Sequence, residues 1–467
     1  MVRRVIQLLF FTVVLSTNAQ PGNEPFETVL IEGVPHILQK PDFCGEASAA
    51  MFLQKLGEDV DQDWVFDRSG LPPEAARGLQ ADELAATLAR IGFDTGVIWK
   101  PLLREHDLDQ EWTALYRDLA SGIPSIVLMH TSPEDSAEHF RLVLGYDGDA
   151  DEVIYHEPAE PDGAYRHMDR NRFLELWPLQ EEYVWGLVRI RLLQEKPIEA
   201  ESSRTLTDAD YAQHLMHLQA TLPVGLSVEI EKPFVIVSDC QTEEIRDFQT
   251  RIVRHVVRLV KQDFFLRDPE KIVDIWMLKN AASYRFHSSS VFDIEPETPY
   301  GYFSPAHNAI ILDISTGGGT LVHEMIHPFM AANFKQCPVW FNEGLASLFE
   351  RPSGSSGHLK GLVNWRLYGL QEAIREQRTM SIETLLHLNE NRFYEDSRSL
   401  PYAQARYLCL FLQEKNQLVD FYHGFYENRV TDPDGQRTLM ELLQTDDLSR
   451  FQKDFENWVM QLPVPDA

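Results

Sequence analysis

The stretch His323-Glu324-Met325-Ile326-His327 decides how this sequence is interpreted. Residues four apart on an α-helix lie on one face, so both imidazoles can reach a single metal ion. Glu324 sits between them and is free to take a proton from water. A catalytic zinc site needs three protein ligands and one open position. Glu343, on a helix expected over residues 340–350, is the best candidate for the third ligand.

The neighbourhood of this motif strengthens the interpretation, because HExxH alone arises by chance in roughly a few in a hundred chains of this size. Residues 308–313 (Asn-Ala-Ile-Ile-Leu-Asp) predict a strand, which we expect at the edge of a sheet where an extended peptide could pair. Residues 315–320 form a turn with candidate N-caps for the metal-binding helix. Pro328 disfavours helical geometry at His327, so we expect the helix to kink or end there.

The two stretches around His323 and Glu343 resemble the gluzincin metallopeptidases, and most closely the bacterial "peptidase MA-like" proteins, over residues 227–415. The resemblance implies a zincin-like domain that binds Zn²⁺ through His323, His327 and Glu343, with Glu324 as the general base. It also places Tyr402 where related enzymes supply a transition-state hydroxyl, although a half-buried core tyrosine is an equal alternative. The short spacer before Glu343 and the lack of a motif for gripping a substrate amino terminus mean that aminopeptidase activity is not implied.

A second group of residues near the N-terminus predicts thiol chemistry. Cys44 begins a predicted helix, whose positive end favours a thiolate. Gln39, five residues earlier, could donate its amide to a developing oxyanion. His139 opens a predicted strand, and a second strand ends at Glu157. Nucleophile, base and orienting carboxylate therefore follow one another in the order that a papain-like thiol peptidase needs.

Residues 32–177 resemble the papain-like superfamily, most closely the peptidases that trim bacteriocin leader peptides. The resemblance rests on Gln39, Cys44-Gly45, His139 and Glu157-Pro158, and it implies catalytic roles for Gln39, Cys44, His139 and Glu157. The family usually has Asp before this proline, and the longer Glu157 could still reach the imidazole. One alternative is a zinc peptidase whose N-terminal domain is an inactive peptide-binding module; another is an exported binding protein in which both sites are vestigial.

Composition restricts the classes of partner. The chain has 467 residues, a formal net charge of −30, and hydrophobic and charged fractions of 44% and 24%, as in folded soluble proteins. Such acidity argues against nucleic acid and anionic membrane surfaces as partners and favours solubility and cationic substrates. The two resemblances imply a peptide or protein substrate. Cys44, Cys240, Cys337 and Cys409 are too few for a disulfide scaffold, and they allow at most one bridge if Cys44 is a nucleophile.

Residues 1–19 predict a cleavable signal peptide, with Arg3-Arg4 ahead of an apolar stretch and a small residue, Ala19, at the expected cleavage site. The apolar stretch is too short to span a bilayer, and we find no other span, so we expect an exported protein, periplasmic or secreted. A papain-like domain is predicted over 20–193, a charged linker over 194–205 and a zinc metallopeptidase domain over 206–467. The predicted helices and strands do not alternate regularly, which favours an α+β fold class.

Overall fold

The computed structural model of the chain describes residues 26–133, 137–198, 206–240, 242–354, 357–395 and 400–464. The chain divides into two compact units, one made of residues 1–69 and 78–200 and the other of residues 70–77 and 201–467. The predicted signal peptide and residues 199–205 of the predicted linker lie outside the described residues. In the part of the chain that is described, no helix combines the length and apolarity that a bilayer span requires.

The first unit consists of an antiparallel sheet with helices packed against it. Its helices are α1 (Cys44–Lys55), α2 (Gln62–Asp67), α3 (Ala81–Ile91), α4 (Asp107–Ala120) and α5 (Arg170–Leu176). Its strands are β1 (Val29–Leu30), β2 (Phe93–Asp94), β3 (Trp99–Pro101), β4 (Ser125–His130), β5 (Glu138–Asp147), β6 (Glu152–His156), β7 (Arg166–Asp169), β8 (Leu179–Glu181), β9 (Val184–Arg191) and β10 (Leu193–Gln194). The main sheet has the order β3-β9-β4-β5-β6-β7, and α1 and α4 pack against its central strand β5.

The second unit contains a five-stranded sheet and most of the helices. Its strands are β11 (Ser227–Glu231), β12 (Phe234–Ser238), β13 (Val273–Leu278), β14 (Gly301–Ser304), β15 (Ala309–Asp313), β16 (Pro352–Ser353) and β17 (Lys360–Gly361). Its helices are α6 (Asp208–Thr221), α7 (Thr242–Phe248), α8 (Arg254–Asp263), α9 (Ala281–Phe292), α10 (Gly319–Asn333), α11 (Val339–Leu348), α12 (Arg366–Arg375), α13 (Ile382–Leu386), α14 (Glu390–Glu395), α15 (Leu400–Glu414), α16 (Leu418–Asn428), α17 (Gln436–Leu443) and α18 (Leu448–Gln461). A π-helical turn, Gln249–Val253, joins α7 to α8.

The five-stranded sheet is mixed and is covered by helices on both faces. The strand order is β11-β12-β13-β15-β14, with β12, β13 and β15 parallel to one another. Because side chains alternate along a strand, Phe234 and Ile236 pack into the core beneath α8 and α10, whereas Val235 and Val237 pack with α6 and α9. Mixed α and β structure is therefore confirmed, but the parallel strands of this sheet were not predicted.

The prediction that residues 308–313 form an edge strand is wrong. Residues 309–313 form β15, which lies inside the sheet between β13 and β14, and the edge is occupied by β14. This four-residue strand carries a glycine and lies between Pro299 and Pro305, so its local pattern indicates a turn. Its place at the edge depends on pairing with β15, which local sequence does not encode.

The helix that carries His323 does not end at His327. Helix α10 continues through Pro328 to Asn333, so of the two outcomes expected at this proline, a kink or an end, the end is wrong and the kink stays a prediction. Packing explains the continuation, since Phe329 and Met330 beyond the proline are almost completely buried. Asn333 also fixes the last turn, because its side-chain oxygen accepts hydrogen bonds from two backbone N–H groups, those of residues 266 and 267.

Candidate active sites

Helices α10 and α11 bring together the three side chains predicted to bind zinc. The ligand atoms of His323, His327 and Glu343 all lie within 4.8 Å of one another. Nε2 of His323 is 3.3 Å from Oε2 of Glu343, and Nε2 of His327 is 3.9 Å from Oε1. The carboxylate is only 5% exposed. Two imidazole nitrogens and one carboxylate thus converge on a single point, as a catalytic zinc site requires.

The polar atoms of this cluster fit a divalent cation. Oε2 of Glu343 is buried and has no hydrogen-bond partner among the described residues. Burial acts to lower the pKa of His323, but the neighbouring carboxylates of Glu343, Glu350 and Glu324 raise it to about 10. Burial likewise acts to raise the pKa of Glu343, yet the two histidines and a tyrosine bring it down to about 2. The surroundings therefore favour positive charge between these side chains, which a bound metal ion would supply.

Second partners orient both imidazoles. Oδ1 of Asn342 lies 3.0 Å from Nδ1 of His327 and accepts its hydrogen bond, which leaves Nε2 directed at the cluster. Oε1 of Glu350 lies 3.5 Å from Nδ1 of His323, a charge contact, since this nitrogen has no hydrogen-bond partner among the described residues. Such outer partners fix the tautomer of a ligating histidine and strengthen it as a ligand. Neither residue was predicted from the sequence, although Asn342 directly precedes Glu343.

Glu350 is itself held in place by Arg366. The guanidinium donates Nε to Oε2 at 3.0 Å and Nη2 to Oε1 at 2.7 Å, and Asn364 donates to Oε2 at 2.9 Å. Burial acts to raise the pKa of Glu350, whereas His323 and Arg366 hold it at about 2. Gly319, which begins α10, allows this arrangement, because a Cβ there would lie 2.3 Å from the carbonyl oxygen of Glu350.

Tyr394, rather than Tyr402, is the tyrosine whose hydroxyl reaches the cluster. Its Oη donates to Oε1 of Glu343 at 2.7 Å, and its side chain lines the neighbouring cleft. The ring of Tyr402 packs 4.8 Å from that of Phe393 and lies under the guanidinium of Arg366. The catalytic role expected for Tyr402 stays a prediction. Tyr394 was missed because it belongs to α14, a short helix with no motif of its own.

A cleft of about 730 Å³ opens beside the cluster. Glu324, the predicted general base, lines it together with His327 and Glu343. Edge strand β14 forms one wall through its residues 301–303, and the exposed side of α10 forms another. Substrate that enters this cleft therefore meets the predicted base and the ligand cluster together.

The surroundings of Cys44 in the first unit favour its thiolate less than the sequence predicted. Cys44 begins α1 and is half-buried. Burial and, to a smaller extent, the charges of Glu46 and Asp42 raise the pKa of this thiol to about 11, against hydrogen bonds from the Phe140 and Gly45 backbones that lower it. The expectation that the helix N-terminus favours a thiolate therefore stays a prediction, and the burial of Cys44 opposes it.

The predicted base and carboxylate of the thiol site do meet. Nε2 of His139 contacts Oε1 of Glu157, so the longer side chain reaches the imidazole. The second carboxylate oxygen accepts a hydrogen bond from Nε of Arg141 at 2.7 Å, and all three side chains are buried. Burial acts to raise the pKa of Glu157, but His139 and Arg141 bring it down to about 2. Arg141 was not identified from the sequence; it lies two residues beyond His139 on the same face of β5.

Gln39 and Cys44 lie beside this pair. The backbone N–H of Gln39 donates to the carbonyl of Pro158 at 2.8 Å, directly after Glu157. Oε1 of the Gln39 side chain is buried without a hydrogen-bond partner in the described part of the chain. The thiol of Cys44 approaches the backbone of Phe140, the residue after His139. All four predicted thiol-site residues therefore belong to one region of the first unit.

Comparison with known proteins identifies this region. Residues 31–183 match the model of the Peptidase_C39 like family. The N-terminal region is thus similar to a cysteine peptidase family, as its papain-like motifs indicated. A search of curated proteins found no match.

Proposed function

We propose that the protein is an exported peptidase with a gluzincin-like second unit that hydrolyses peptides at a zinc site, and a C39-like first unit. The observation that carries the proposal is the approach of His323, His327 and Glu343 to within 4.8 Å, with a buried carboxylate oxygen that no described donor satisfies. The family match over residues 31–183 independently supports peptide as the substrate class.

The residues of the second unit have separate tasks in this reaction. His323, His327 and Glu343 would hold Zn²⁺, with Asn342 and Glu350 orienting the imidazoles. Zn²⁺ in such a site supplies Lewis-acid chemistry, because it polarises a carbonyl group and makes water acidic enough to ionise near neutral pH. The carboxylate of Glu324 takes the proton of the attacking water and passes it to the departing amine nitrogen.

Substitution of the base separates metal binding from chemistry. In Glu324→Gln we expect zinc content equal to that of the wild type and a loss of peptide hydrolysis of about 10²- to 10⁴-fold, the usual contribution of a general base. Glu414→Gln, at an exposed position on α15, is the matched control. Wild-type rates in Glu324→Gln would remove the base assignment.

A second candidate function is a zinc peptidase whose first unit binds peptide without cleaving it. The raised pKa of Cys44 favours it, because a thiol at about 11 is almost wholly protonated at neutral pH. The two candidates give different results in single variants. Full activity in Cys44→Ala with loss in His323→Ala supports the binding module, whereas two activities lost independently support two working enzymes.

A further inference from the structure

The cleft beside the metal ligands extends beyond the groups that the proposed reaction uses. Past His327, the cleft is lined along α10 by the small side chains of Ala331 and Ala332. Lys335, which follows the helix, lines it as well. Lys271 and Glu270, which precede β13, line the cleft as well. An extended peptide therefore has room on this side, and the charged side chains that line it are Glu270, Lys271 and Lys335.

Strand register places both lysines at the same end of the cleft. Val273, the first residue of β13, pairs with Phe234 of β12, and the ring of Phe234 lies 6.0 Å from that of Phe329 on α10. The C-terminal part of α10 is therefore level with the start of β13. Lys271 lies two residues before β13 and Lys335 two residues after α10. Both lysines are thus placed nearer the C-terminal end of α10 than its N-terminal half.

The charge at this end differs from that of the chain as a whole. Lys271 and Lys335 are exposed, and neither forms an ion pair with any of the described residues. Glu270 contributes the carboxylate at this end of the cleft, so one negative charge stands against the two positive charges of the lysines. In a protein with a net charge of −30, two unpaired lysines in a substrate cleft provide a local site for negative charge.

We infer that the lysine pair binds a carboxylate of the peptide substrate, either an acidic side chain or the C-terminal carboxylate. This inference rests on the proposed function of the same cleft. Helix α10 rises roughly 9 Å between His327 and Asn333, and an extended peptide advances roughly 3.3 Å per residue. The bound carboxylate belongs about three residues from the cleaved bond.

Two series of internally quenched peptides of one parent sequence test the inference and its two sources of carboxylate. In the first, both termini are blocked and Glu, Gln or Lys is placed at each position in turn. In the second, no acidic side chain is present and the C-terminus is either free or amidated. The zinc-loaded full chain is compared with the doubly substituted variant Lys271→Glu/Lys335→Glu and with Lys453→Glu, an exposed control on α18.

We expect kcat/KM to be about tenfold higher for the peptide with Glu than for that with Gln at one position, or for a free than for an amidated C-terminus. The factor follows from about threefold for each of two exposed charge pairs. The preference should invert toward Lys in the doubly substituted variant, persist in Lys453→Glu, and shrink in 1 M salt. Equal cleavage of all peptides, or a preference that survives the double substitution, overturns the inference. Lys271→Met/Lys335→Met, with no added charge, should abolish the preference without inverting it.

Binding to zinc-loaded Glu324→Gln, followed by fluorescence anisotropy, separates this inference from the proposed reaction. Hydrolysis without any charge preference leaves the peptidase proposal standing and removes the lysine site. Tighter binding of the acidic peptides, abolished by the lysine substitutions, supports the lysine site even where the wild type cleaves none of them. Absence of both hydrolysis and binding removes both proposals.

Discussion

Glu350 provides the strongest test of how the metal cluster is built. The carboxylate lies 3.5 Å from Nδ1 of His323 and is held by two hydrogen bonds from Arg366, at 2.7 and 3.0 Å. In Glu350→Gln the shape is retained and the charge is lost. Outer partners of zinc ligands contribute about 10- to 100-fold to metal affinity, or about 1.4 to 2.7 kcal/mol. We expect zinc to dissociate more readily by this factor.

The same substitution should also reduce folding stability. Arg366 and Glu350 have side chains that are 12% and 15% exposed, so the guanidinium would remain buried without its counter-charge. Breaking a buried pair in this way costs about 3 kcal/mol or more. Chelator competition measures zinc affinity, and urea unfolding of the metal-free protein measures the second effect.

Glu372→Gln, at an exposed position of α12, is the matched control and should change neither quantity. The combined variant Glu350→Gln/Arg366→Met should recover part of the stability, because no buried charge is left unpaired, and none of the zinc affinity. Zinc affinity within twofold of wild type in a folded Glu350→Gln protein would refute the assigned role of Glu350.

Three further predictions concern single side chains. Asn342→Ala should weaken zinc binding about tenfold, because His327 loses its hydrogen-bond acceptor, whereas Asn342→Asp should preserve or tighten it in chelator competition. Cys44 should react with iodoacetamide at pH 7.5 roughly 100-fold more slowly than an unperturbed thiol, since burial raises its pKa from an ordinary value of 9.0 to about 11. Mass spectrometry of the alkylated peptide gives the rate. Burial raises the pKa of Glu46 to about 8 in the folded protein, whereas the same carboxyl group has its ordinary pKa of 4.5 in the unfolded chain. Between these two pH values the folded protein therefore holds a proton that the unfolded chain has released. In urea unfolding, the free energy of unfolding of Glu46→Gln relative to the wild type should therefore increase by about 1.4 kcal/mol per pH unit between pH 5 and 8.

Each of these predictions has a contradicting result. Equal zinc affinities in Asn342→Ala and the wild type would mean that the bond to His327 does not orient the ligand. Alkylation of Cys44 within tenfold of an unperturbed thiol would mean that the thiol is activated, as the sequence first indicated. A pH-independent effect of Glu46→Gln would mean that Glu46 is ionised in the folded protein.

The parts of the site that depend on local spacing could be predicted from the sequence. His323 and His327 share a helix face at a four-residue interval, and Glu343 follows on the next helix. The structure brings these three together. The contact of Glu157 with His139 likewise follows from their positions at the ends of neighbouring strands β6 and β5.

The parts of the site that depend on tertiary packing could not be predicted from the sequence. Tyr394 and Arg366 reach the cluster from helices that carry no recognisable motif, and β14 forms the edge only by pairing with β15. Helix α10 passes Pro328 because the residues after it are buried, which outweighs the local preference of proline. The burial of Cys44, which acts against the thiolate that the helix N-terminus favours, also depends on packing and could not be predicted from local sequence.

Zinc-edge X-ray absorption of the purified full chain tests the central claim most directly. We predict about one zinc per chain, bound by two imidazole nitrogens at about 2.0 to 2.1 Å and by carboxylate oxygen at about 2.0 to 2.2 Å, with the imidazole signal reduced in His327→Ala and the carboxylate signal reduced in Glu343→Ala. A protein that binds no zinc, or a spectrum unchanged by both substitutions, would contradict the account.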